Sequence, residues 1–312
     1  LQLSIDQRIQ AVAYRELKKA VLTFGATSGS VVVVDVHTGE VLAMVNSPSY
    51  NPNNRKNTEI HRFRNRAITD SIEPGSIVKP LPVLAALENG TADMNTVIQT
   101  GYGPIMVGGR RVKDTHGYGD LDLTGIMRKS SNIGVTKLAL NMPHEDLLKL
   151  YYDMGLGAET GLGLQGESAG MLRERARWSD HERATLSFGY GLSVTAVQMA
   201  KMYSAIANGG VVRPLSIIKA ETPPEGMRVV SEQNADAMVE MLEQVTEKGG
   251  TATKARVAGY RVGGKTGTAK KAIAGGYGDD YIGSFAGIGP ISSPRLACVV
   301  IINEPSGDYY YG

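Results

Sequence analysis

Strand-like segments lie at both ends of the sequence, with helical patterns between them. Near the start, SVVVVDV and EVLAMV are two apolar, β-branched runs joined by a short turn that contains glycine, which is the pattern of a β-hairpin. Toward the end, GYRVGGKTGTAKK, YIGSFAGIG and RLACVVIINEP have the character of three further strands. Strands and helices distributed in this way favour one sheet assembled from the two chain ends. The sequence therefore predicts an α+β fold with an antiparallel sheet of about five strands flanked by helices.

The middle of the chain is predominantly helical in pattern. Apolar residues recur at helical spacing in LTGIMRKSSNIGVTKLAL, EDLLKLYYDMG and SVTAVQMAKMYSAIANGG, and turns containing glycine separate these stretches. Further helices are predicted over 5–22, from Ser76 to Leu87, and over about 234–247. We expect a single domain over 1–312, in which an all-α subdomain accompanies the sheet. The expected parts are the sheet at about 1–75 and 226–312, and the helical subdomain at about 76–225.

Composition and charge exclude several classes of function. Lys and Arg number 33 against 31 Asp and Glu, so the near-neutral charge gives no electrostatic reason to expect nucleic acid as a partner. The five histidines are scattered and Cys298 is the only cysteine, so we expect no metal site and no intrachain disulfide. A dinucleotide-type match, Gly161-x-Gly163-x-x-Gly166, follows a helical segment instead of a strand. We therefore expect no cofactor.

Two copies of the pattern Ser-x-x-Lys occur, and their surroundings differ. In EPGSIVKP, a turn leads into a helical pattern, so Ser76 and Lys79 lie on the same helix face, one turn apart. In PLSIIKA, Ser216 and Lys219 lie in a β-branched run, where positions i and i+3 point to opposite faces of a strand. The predicted local structure therefore favours a catalytic role for Ser76 over one for Ser216.

Three short motifs occur in series only once in this chain. Ser-x-x-Lys, Ser-x-Asn and Lys-Thr-Gly are each too short to be specific, but their order is informative. The series consists of Ser76 and Lys79, then Ser130 and Asn132, then Lys265, Thr266 and Gly267. A serine hydroxyl needs a base within hydrogen-bond reach to act as a nucleophile. Lys79 can serve as this base if burial and a second cation, such as Lys265, lower its pKa.

This ordered set is typical of penicillin-binding proteins and class A β-lactamases. The chain resembles the class B penicillin-binding proteins, and within them the cell-division peptidoglycan D,D-transpeptidases of the penicillin-binding protein 3 type. The resemblance covers nearly the whole chain and implies the serine β-lactamase / D,D-peptidase-like fold. It extends to SIDQRIQ, SPSYNPNN, RNRAITDSIEPGS, KSSNIGVTKLAL, WSDHERATLSFGYGLSVTAVQ, GGKTGTAKK and VVIINEP.

The resemblance assigns catalytic roles to residues of the first two motifs. It implies that Ser76 is the nucleophile, that Lys79 is its base, and that Ser130 relays a proton to the leaving amine. It also implies that the Asn132 amide holds a peptide carbonyl of the substrate, while the side chain of Ser131 points away.

The resemblance also implies a binding role for the third motif. An edge strand formed by KTGT can pair with an extended peptide, and Gly267 is expected to allow close approach of that backbone. Lys265 and Thr266 would attract a terminal carboxylate. The backbone N–H groups of Thr268 and Ser76 would form the oxyanion hole.

The function implied by the resemblance is cross-linking of peptidoglycan stem peptides during septal cell-wall synthesis. The expected partners are a D-Ala-D-Ala donor, an amine acceptor, β-lactam antibiotics that acylate Ser76, and proteins of the division machinery. The expected location is the periplasmic face of the inner membrane. A membrane anchor, a pedestal domain and a C-terminal helix are expected of the full-length protein but not found in this chain.

Three other functions remain open from the sequence. A D,D-carboxypeptidase and a serine β-lactamase share the nucleophile, and a penicillin-sensing domain shares the acylation. A class A β-lactamase is disfavoured because no Glu-x-x-Leu-Asn stretch lies between the second and third motifs, where EDLLK lacks the asparagine. A transpeptidase is favoured over these alternatives.

Overall fold

The five-stranded sheet predicted from the two chain ends is present. The computed structural model describes residues 1–175, 177–273 and 275–306. The strands of this part of the chain are β1 (Ser28–Asp35), β2 (Val41–Ser47), β3 (Val97–Gly101), β4 (Ile105–Val107), β5 (Arg110–Val112), β6 (Gly119–Asp122), β7 (Val211–Val212), β8 (Met227–Arg228), β9 (Gly263–Ile273), β10 (Gly276–Gly289) and β11 (Leu296–Asn303). The main sheet has the antiparallel order β2-β1-β11-β10-β9, so β11 lies between the hairpin from the start of the chain and the two other C-terminal strands.

The helices lie mostly in the middle of the chain, as predicted. They are α1 (Gln7–Thr23), α2 (Arg66–Thr69), α3 (Pro80–Glu88), α4 (Leu123–Lys129), α5 (Asn132–Leu140), α6 (His144–Asp153), α7 (Asp180–Ser187), α8 (Ala196–Ala207) and α9 (Glu232–Thr246). The sequence did not predict the short pairs β3–β6 and β4–β5, which lie between α3 and α4. In the described residues, no helix is both long enough and apolar enough to cross a bilayer.

Strand β1 is buried along its whole length because helices cover both faces of the sheet. Alternate residues of a strand point to opposite faces. Val32 and Val34 accordingly join the main core, which contains the buried helix α8, whereas Val31 and Val33 contact Leu17 of α1. The run of valines in the sequence therefore reflects a central strand with two apolar faces.

Strand β9 forms one edge of the sheet, beside helix α9. The inner face of α9 is buried and includes Met238, Met241, Leu242 and Val245. Because β9 carries the Lys-Thr-Gly motif, this packing fixes one wall of the region where the other two motifs meet.

The helix predicted from Ser76 to Leu87 differs from the observed structure at its start. A 3₁₀ turn covers Gly75–Val78, and α3 begins only at Pro80. Proline has no N–H to donate to the carbonyl of residue i−4, which is Ser76. The Ser76 carbonyl accepts instead from the N–H of Lys79, at 3.3 Å, so the first turn is tighter than an α-helix.

Candidate active site

The turn that carries Ser76 is tied to the core on both sides of the serine. Gly75, with φ +54°, donates its N–H to the carbonyl of Gly189 at 3.0 Å. The hydroxyl of the fully buried Tyr203 donates to the carbonyl of Ile77 at 2.8 Å. Ser76 itself is half-buried, between two buried neighbours. These bonds fix the backbone of the candidate nucleophile.

Lys79 is fully buried, and its ammonium contacts the second motif. Its Nζ donates to the carbonyl oxygen of Ser130 at 2.6 Å and to the Oδ1 of Asn132 at 2.7 Å. A third contact, of 3.1 Å, joins Nζ to the Oγ of Ser130. The first two motifs, 51 positions apart in sequence, therefore meet at one side-chain nitrogen.

Lys265, in the third motif, reaches the same serine. Its side chain is also fully buried, and its Nζ donates to the Oγ of Ser130 at 2.9 Å and to the Thr266 carbonyl at 3.2 Å. The Ser130 hydroxyl oxygen thus lies between the side-chain nitrogens of two lysines, one from each flanking motif. This arrangement brings all three motifs together around one oxygen atom.

Burial lowers the pKa of both lysines, and repulsion from Lys265 lowers that of Lys79 further. Loss of solvation lowers the pKa of Lys265 from 10.5 to about 7. The pKa of Lys79 is also lowered well below its ordinary value, first by burial and then by the charge of Lys265, while the Asp114 carboxylate opposes this shift. A neutral amine at neutral pH is what a general base in this position requires.

The turn between α4 and α5 presents Ser130 in a strained conformation. Ser130 ends α4 with φ 55° and ψ 45°, a left-handed conformation that is uncommon for residues with a Cβ. Ser131, with its side chain turned away from the lysines as expected, caps α5 by accepting from the N–H of Gly134 at 2.8 Å. The chain therefore breaks between two helices at this motif.

Strand β9 packs directly against the turn that carries Ser76. A Cβ placed on Gly267 would lie 2.4 Å from the Oγ of Ser284, and 3.0 Å from both Ile77 Cγ2 and the Pro74 carbonyl oxygen. The glycine is thus needed for close packing within the protein itself, and its expected role in the approach of a peptide stays a prediction. The neighbouring Thr266 and Thr268 are half-buried.

Two carboxylates near the motifs were not singled out from the sequence. Asp114 follows β5 and accepts hydrogen bonds at the start of α5, including one from the Oγ of Ser131 at 2.6 Å. Glu73, three residues before Ser76, accepts at Oε1 from the N–H of Gly191 at 2.8 Å and from the hydroxyl of Tyr277 at 3.2 Å. Asp114 bonds to the second motif across the fold, and Glu73 bonds to distant residues outside the motifs, so spacing along the chain gave no signal for either.

The second Ser-x-x-Lys copy and the dinucleotide-type glycine match, both disfavoured from the sequence, lie in loops. The Oγ of Ser216 donates to the Ile218 carbonyl at 2.8 Å, and its second contact is the Ile218 N–H at 3.0 Å. The stretch from Gly161 to Gly166 lies in the loop between α6 and α7, without a strand before it or a helix directly after it. Neither stretch therefore forms the site that its pattern formally matches.

Comparison with known proteins agrees with this geometry. The profile of the penicillin-binding protein transpeptidase domain matches residues 29–312. The chain belongs to this transpeptidase domain family. The resemblance to class B penicillin-binding proteins, and the fold that it implied, are therefore confirmed.

Individual members of the transpeptidase domain family match along nearly the whole chain. Peptidoglycan D,D-transpeptidase FtsI of Escherichia coli (strain K12) is 51% identical over 100% of this chain and 53% of its own length. Probable peptidoglycan D,D-transpeptidase PenA of Neisseria gonorrhoeae is 44% identical over 99% of this chain and 53% of its own length. The chain thus spans about half the length of these curated relatives.

Solved structures of the family have the same fold. The apo transpeptidase domain from Burkholderia pseudomallei penicillin-binding protein 3 is 42% identical, with a TM-score of 0.91 over 99% of this chain and 90% of that one. A structure described as a peptidoglycan glycosyltransferase from Burkholderia ambifaria is also 42% identical, with a TM-score of 0.89 over 98% of this chain and 91% of that one. The sheet and helices described above are therefore those of the family.

Proposed function

We propose that this chain is the catalytic domain of a peptidoglycan D,D-transpeptidase that works through an acyl-enzyme on Ser76. The observation that carries the proposal is the Ser130 Oγ held between two buried lysines, 3.1 Å from Lys79 and 2.9 Å from Lys265. This arrangement provides a neutral amine, a hydroxyl that can relay a proton, and a second cation in one place. The names of the relatives, which are peptidoglycan D,D-transpeptidases, support the same reaction class.

In the proposed first step, the Oγ of Ser76 attacks the carbonyl carbon between the two terminal D-alanines of a stem peptide. The hydroxyl proton passes to the neutral Nζ of Lys79 as the new C–O bond forms. The backbone N–H groups of Ser76 and Thr268 would stabilise the oxyanion. The C–N bond then breaks, and the leaving D-alanine amine takes a proton from Lys79 through the hydroxyl of Ser130.

In the second step, an amine of a neighbouring stem peptide attacks the ester carbonyl. Its proton returns through Ser130 and Lys79 to the Oγ of Ser76 as the C–O bond breaks, so the cross-link forms and the enzyme is restored. We assign Asn132 to the substrate backbone, and Lys265 with Thr266 to the terminal carboxylate. A β-lactam would acylate Ser76 by the same first step.

Both nearby carboxylates accept hydrogen bonds within the protein, and no Glu-x-x-Leu-Asn stretch lies between the second and third motifs. A class A β-lactamase uses a glutamate that holds the attacking water. Here the carboxylate of Asp114 accepts from Ser131 and from the backbone of α5, and Glu73 accepts from Gly191 and Tyr277. We therefore favour a long-lived acyl-enzyme over a β-lactamase, with a D,D-carboxypeptidase as the next candidate.

The biological setting belongs to the same proposal. We assign the full-length protein to septal wall synthesis at the periplasmic face of the inner membrane, with division-machinery proteins as partners. Identity to FtsI and PenA along this chain supports the assignment.

Mass spectrometry of the intact protein after exposure to penicillin tests the nucleophile. The wild type and Ser216→Ala, which alters the other Ser-x-x-Lys copy, should gain the mass of one penicilloyl group, and Ser76→Ala should gain none. Covalent labelling of Ser76→Ala would contradict the assignment of the nucleophile.

The lifetime of the adduct and the turnover of a peptide substrate separate the remaining functions. We expect the adduct to persist for far longer than seconds, and a D-alanine-type thioester donor to be transferred to an added amine. Loss of the adduct within seconds would indicate a β-lactamase, and release of hydrolysed donor alone would indicate a carboxypeptidase. A stable adduct without donor turnover would indicate a sensing domain.

A further inference from the structure

The last two residues of α4 tie this helix to the loop between α9 and β9. The guanidinium of Arg128 donates to the carbonyl of Lys248, and the Nζ of Lys129 donates to the carbonyl of Gly249 at 2.9 Å. Ser130 follows directly as the C-cap of α4. The loop that leads into the third motif is therefore held by the same helix end that carries the second motif.

The backbone of the α9–β9 loop is also bonded back to the end of α9. The N–H of Gly250 donates to the carbonyl of Glu247 at 2.8 Å, and the N–H of Ala252 donates to the carbonyl of Val245 at 2.9 Å. A Cβ on Gly250 would lie 2.1 Å from the same Val245 carbonyl oxygen, so the chain packs closely here. Contacts on both sides of Thr251 thus fix the point at which its side chain leaves the backbone.

The hydroxyl of Thr251 contacts the hydroxyl of Thr266 in the third motif. Their Oγ1 atoms are 3.0 Å apart, and either one can be the donor. Thr251 is exposed and Thr266 is half-buried, so a bound molecule can approach this pair from solvent. A hydroxyl has one proton to donate and two lone pairs that can accept. When Thr251 donates, the proton of Thr266 is available to another acceptor, and the bond that it receives makes Thr266 a stronger donor.

We propose that Thr251 is a positioning residue for the Thr266 hydroxyl, an inference that rests on the proposed function. In that function Thr266 and Lys265 bind the terminal carboxylate of the donor peptide, and an ionised carboxylate can only accept hydrogen bonds. Thr266 must therefore donate its proton to the substrate. By donating to the Oγ1 of Thr266, Thr251 keeps that proton turned toward the carboxylate. Thr251 then acts through Thr266 and not on the substrate directly.

The test compares two D-alanyl thioester donors, one whose leaving group ends in a carboxylate and one in which that carboxylate is a methyl ester. Release of the thiol in the presence of an amine acceptor gives kcat/KM for each donor. We expect Thr251→Val to lower kcat/KM for the carboxylate donor roughly 3- to 10-fold, as for loss of one hydrogen bond, and to have little effect on the ester. Thr251→Ser keeps the hydroxyl and should match wild type. The matched control is Thr253→Val, an exposed position two residues further along, which should leave both donors unaffected.

A double-mutant cycle tests whether Thr251 acts through Thr266. In a Thr266→Val background, Thr251→Val should cause no further loss with the carboxylate donor, because the hydroxyl through which it acts is gone. An undiminished further loss would show that Thr251 binds the carboxylate by itself, and would overturn the positioning role. Equal losses with both donors in the single variant would indicate a general structural effect and would overturn it as well. Thr251→Ala takes the place of Thr251→Val if the latter does not fold.

The wild-type measurements separate this inference from the proposed function. A wild type that releases thiol from neither donor would reject the proposed reaction, and the inference with it. A wild type that uses both donors equally well would reject the assigned carboxylate site, and again the inference. A wild type that prefers the carboxylate donor, beside a Thr251→Val protein with the same rates, would reject the inference alone.

Discussion

Replacing Lys265 by methionine should make the folded protein more stable, by an amount that depends on pH. The structure buries this lysine completely and lowers its pKa from 10.5 to about 7. Below pH 7 the ammonium is charged in both the folded and the unfolded chain, and the folded chain bears the whole cost of burial. At about 1.4 kcal/mol for each unit of pKa, this cost is on the order of 5 kcal/mol.

The pH dependence follows from the protons bound in each state. Between pH 7 and 10.5 the unfolded chain holds a proton at Lys265 that the folded chain has lost, so stability of the wild type rises with pH. Lys265 contributes about 1.4 kcal/mol per pH unit to this slope in that window, and its contribution levels off on either side. Methionine has a similar length and no charge, so Lys265→Met should lack this contribution. Loss of the hydrogen bonds to Ser130 and Thr266 offsets about 1 kcal/mol each, independently of pH.

Chemical denaturation of both proteins at intervals from pH 6.5 to 10 measures the difference in unfolding free energy. We expect the advantage of Lys265→Met to be largest near pH 7 and to shrink steadily as pH rises. Lys270→Met, at an exposed position of the same strand, should differ from wild type by an amount that is constant across pH. A constant difference for Lys265→Met as well would refute the reasoning, because the buried lysine would then carry no titrating cost.

Three further substitutions test the supports of the site. Gly189→Ala should abolish acylation or folding, because a Cβ at φ +91° would lie 2.1 Å from the carbonyl oxygen of Gly75; circular dichroism and penicillin labelling would show which is lost. Tyr203→Phe should cost about 1–3 kcal/mol in urea unfolding, because it leaves the buried Ile77 carbonyl without its hydroxyl donor. Thr195→Val should remove one half of the capping box of α8 and lower the free energy of unfolding by about 1 kcal/mol. The rate of penicillin labelling per folded molecule should not change, and a slower rate would contradict a purely structural role.

The sheet was predictable because its strands have strong local signals. Apolar β-branched runs such as that of β1, and glycine-bounded runs such as β9, identify strands without any knowledge of their partners. The position of β11 between β1 and β10 was not readable from the sequence, because pairing order depends on contacts over more than 250 positions. The short pairs β3–β6 and β4–β5 were missed because strands of three to five residues have too few alternations to be distinguished from loops.

The motif residues of the candidate site could be predicted from the sequence, but the residues and turns that hold them in place could not. The order of the motifs and the resemblance that they carry predicted that Ser76, Lys79 and Ser130 belong to one site, and the hydrogen bonds of Lys79 join the last two of these. The left-handed turn at Ser130 and its restraint by Asp114 have no sequence pattern of their own. Asp114 lies beside α5 because the hairpin β4–β5 packs on that helix, which is a tertiary contact. The 3₁₀ turn at Ser76 could have been predicted, because Pro80 has no N–H to donate to the Ser76 carbonyl.

The environments of the two lysines also assign their roles. Two buried ammonium groups repel each other, so removal of one proton relieves both. The first proton leaves from the lysine whose charged form has the larger total free-energy cost of burial and repulsion. Burial and repulsion by Lys265 lower the pKa of Lys79 well below its ordinary value. Burial alone lowers the pKa of Lys265, to about 7. Burial and the charge of Lys265 thus both favour the neutral form of Lys79, which can take a proton. Once Lys79 is neutral, Lys265 can keep its charge, which a carboxylate at the end of a peptide substrate would further stabilise. A site with one lysine could not supply both a base and a cation beside the same hydroxyl, and this explains why the fold brings a lysine from each of two distant motifs to Ser130.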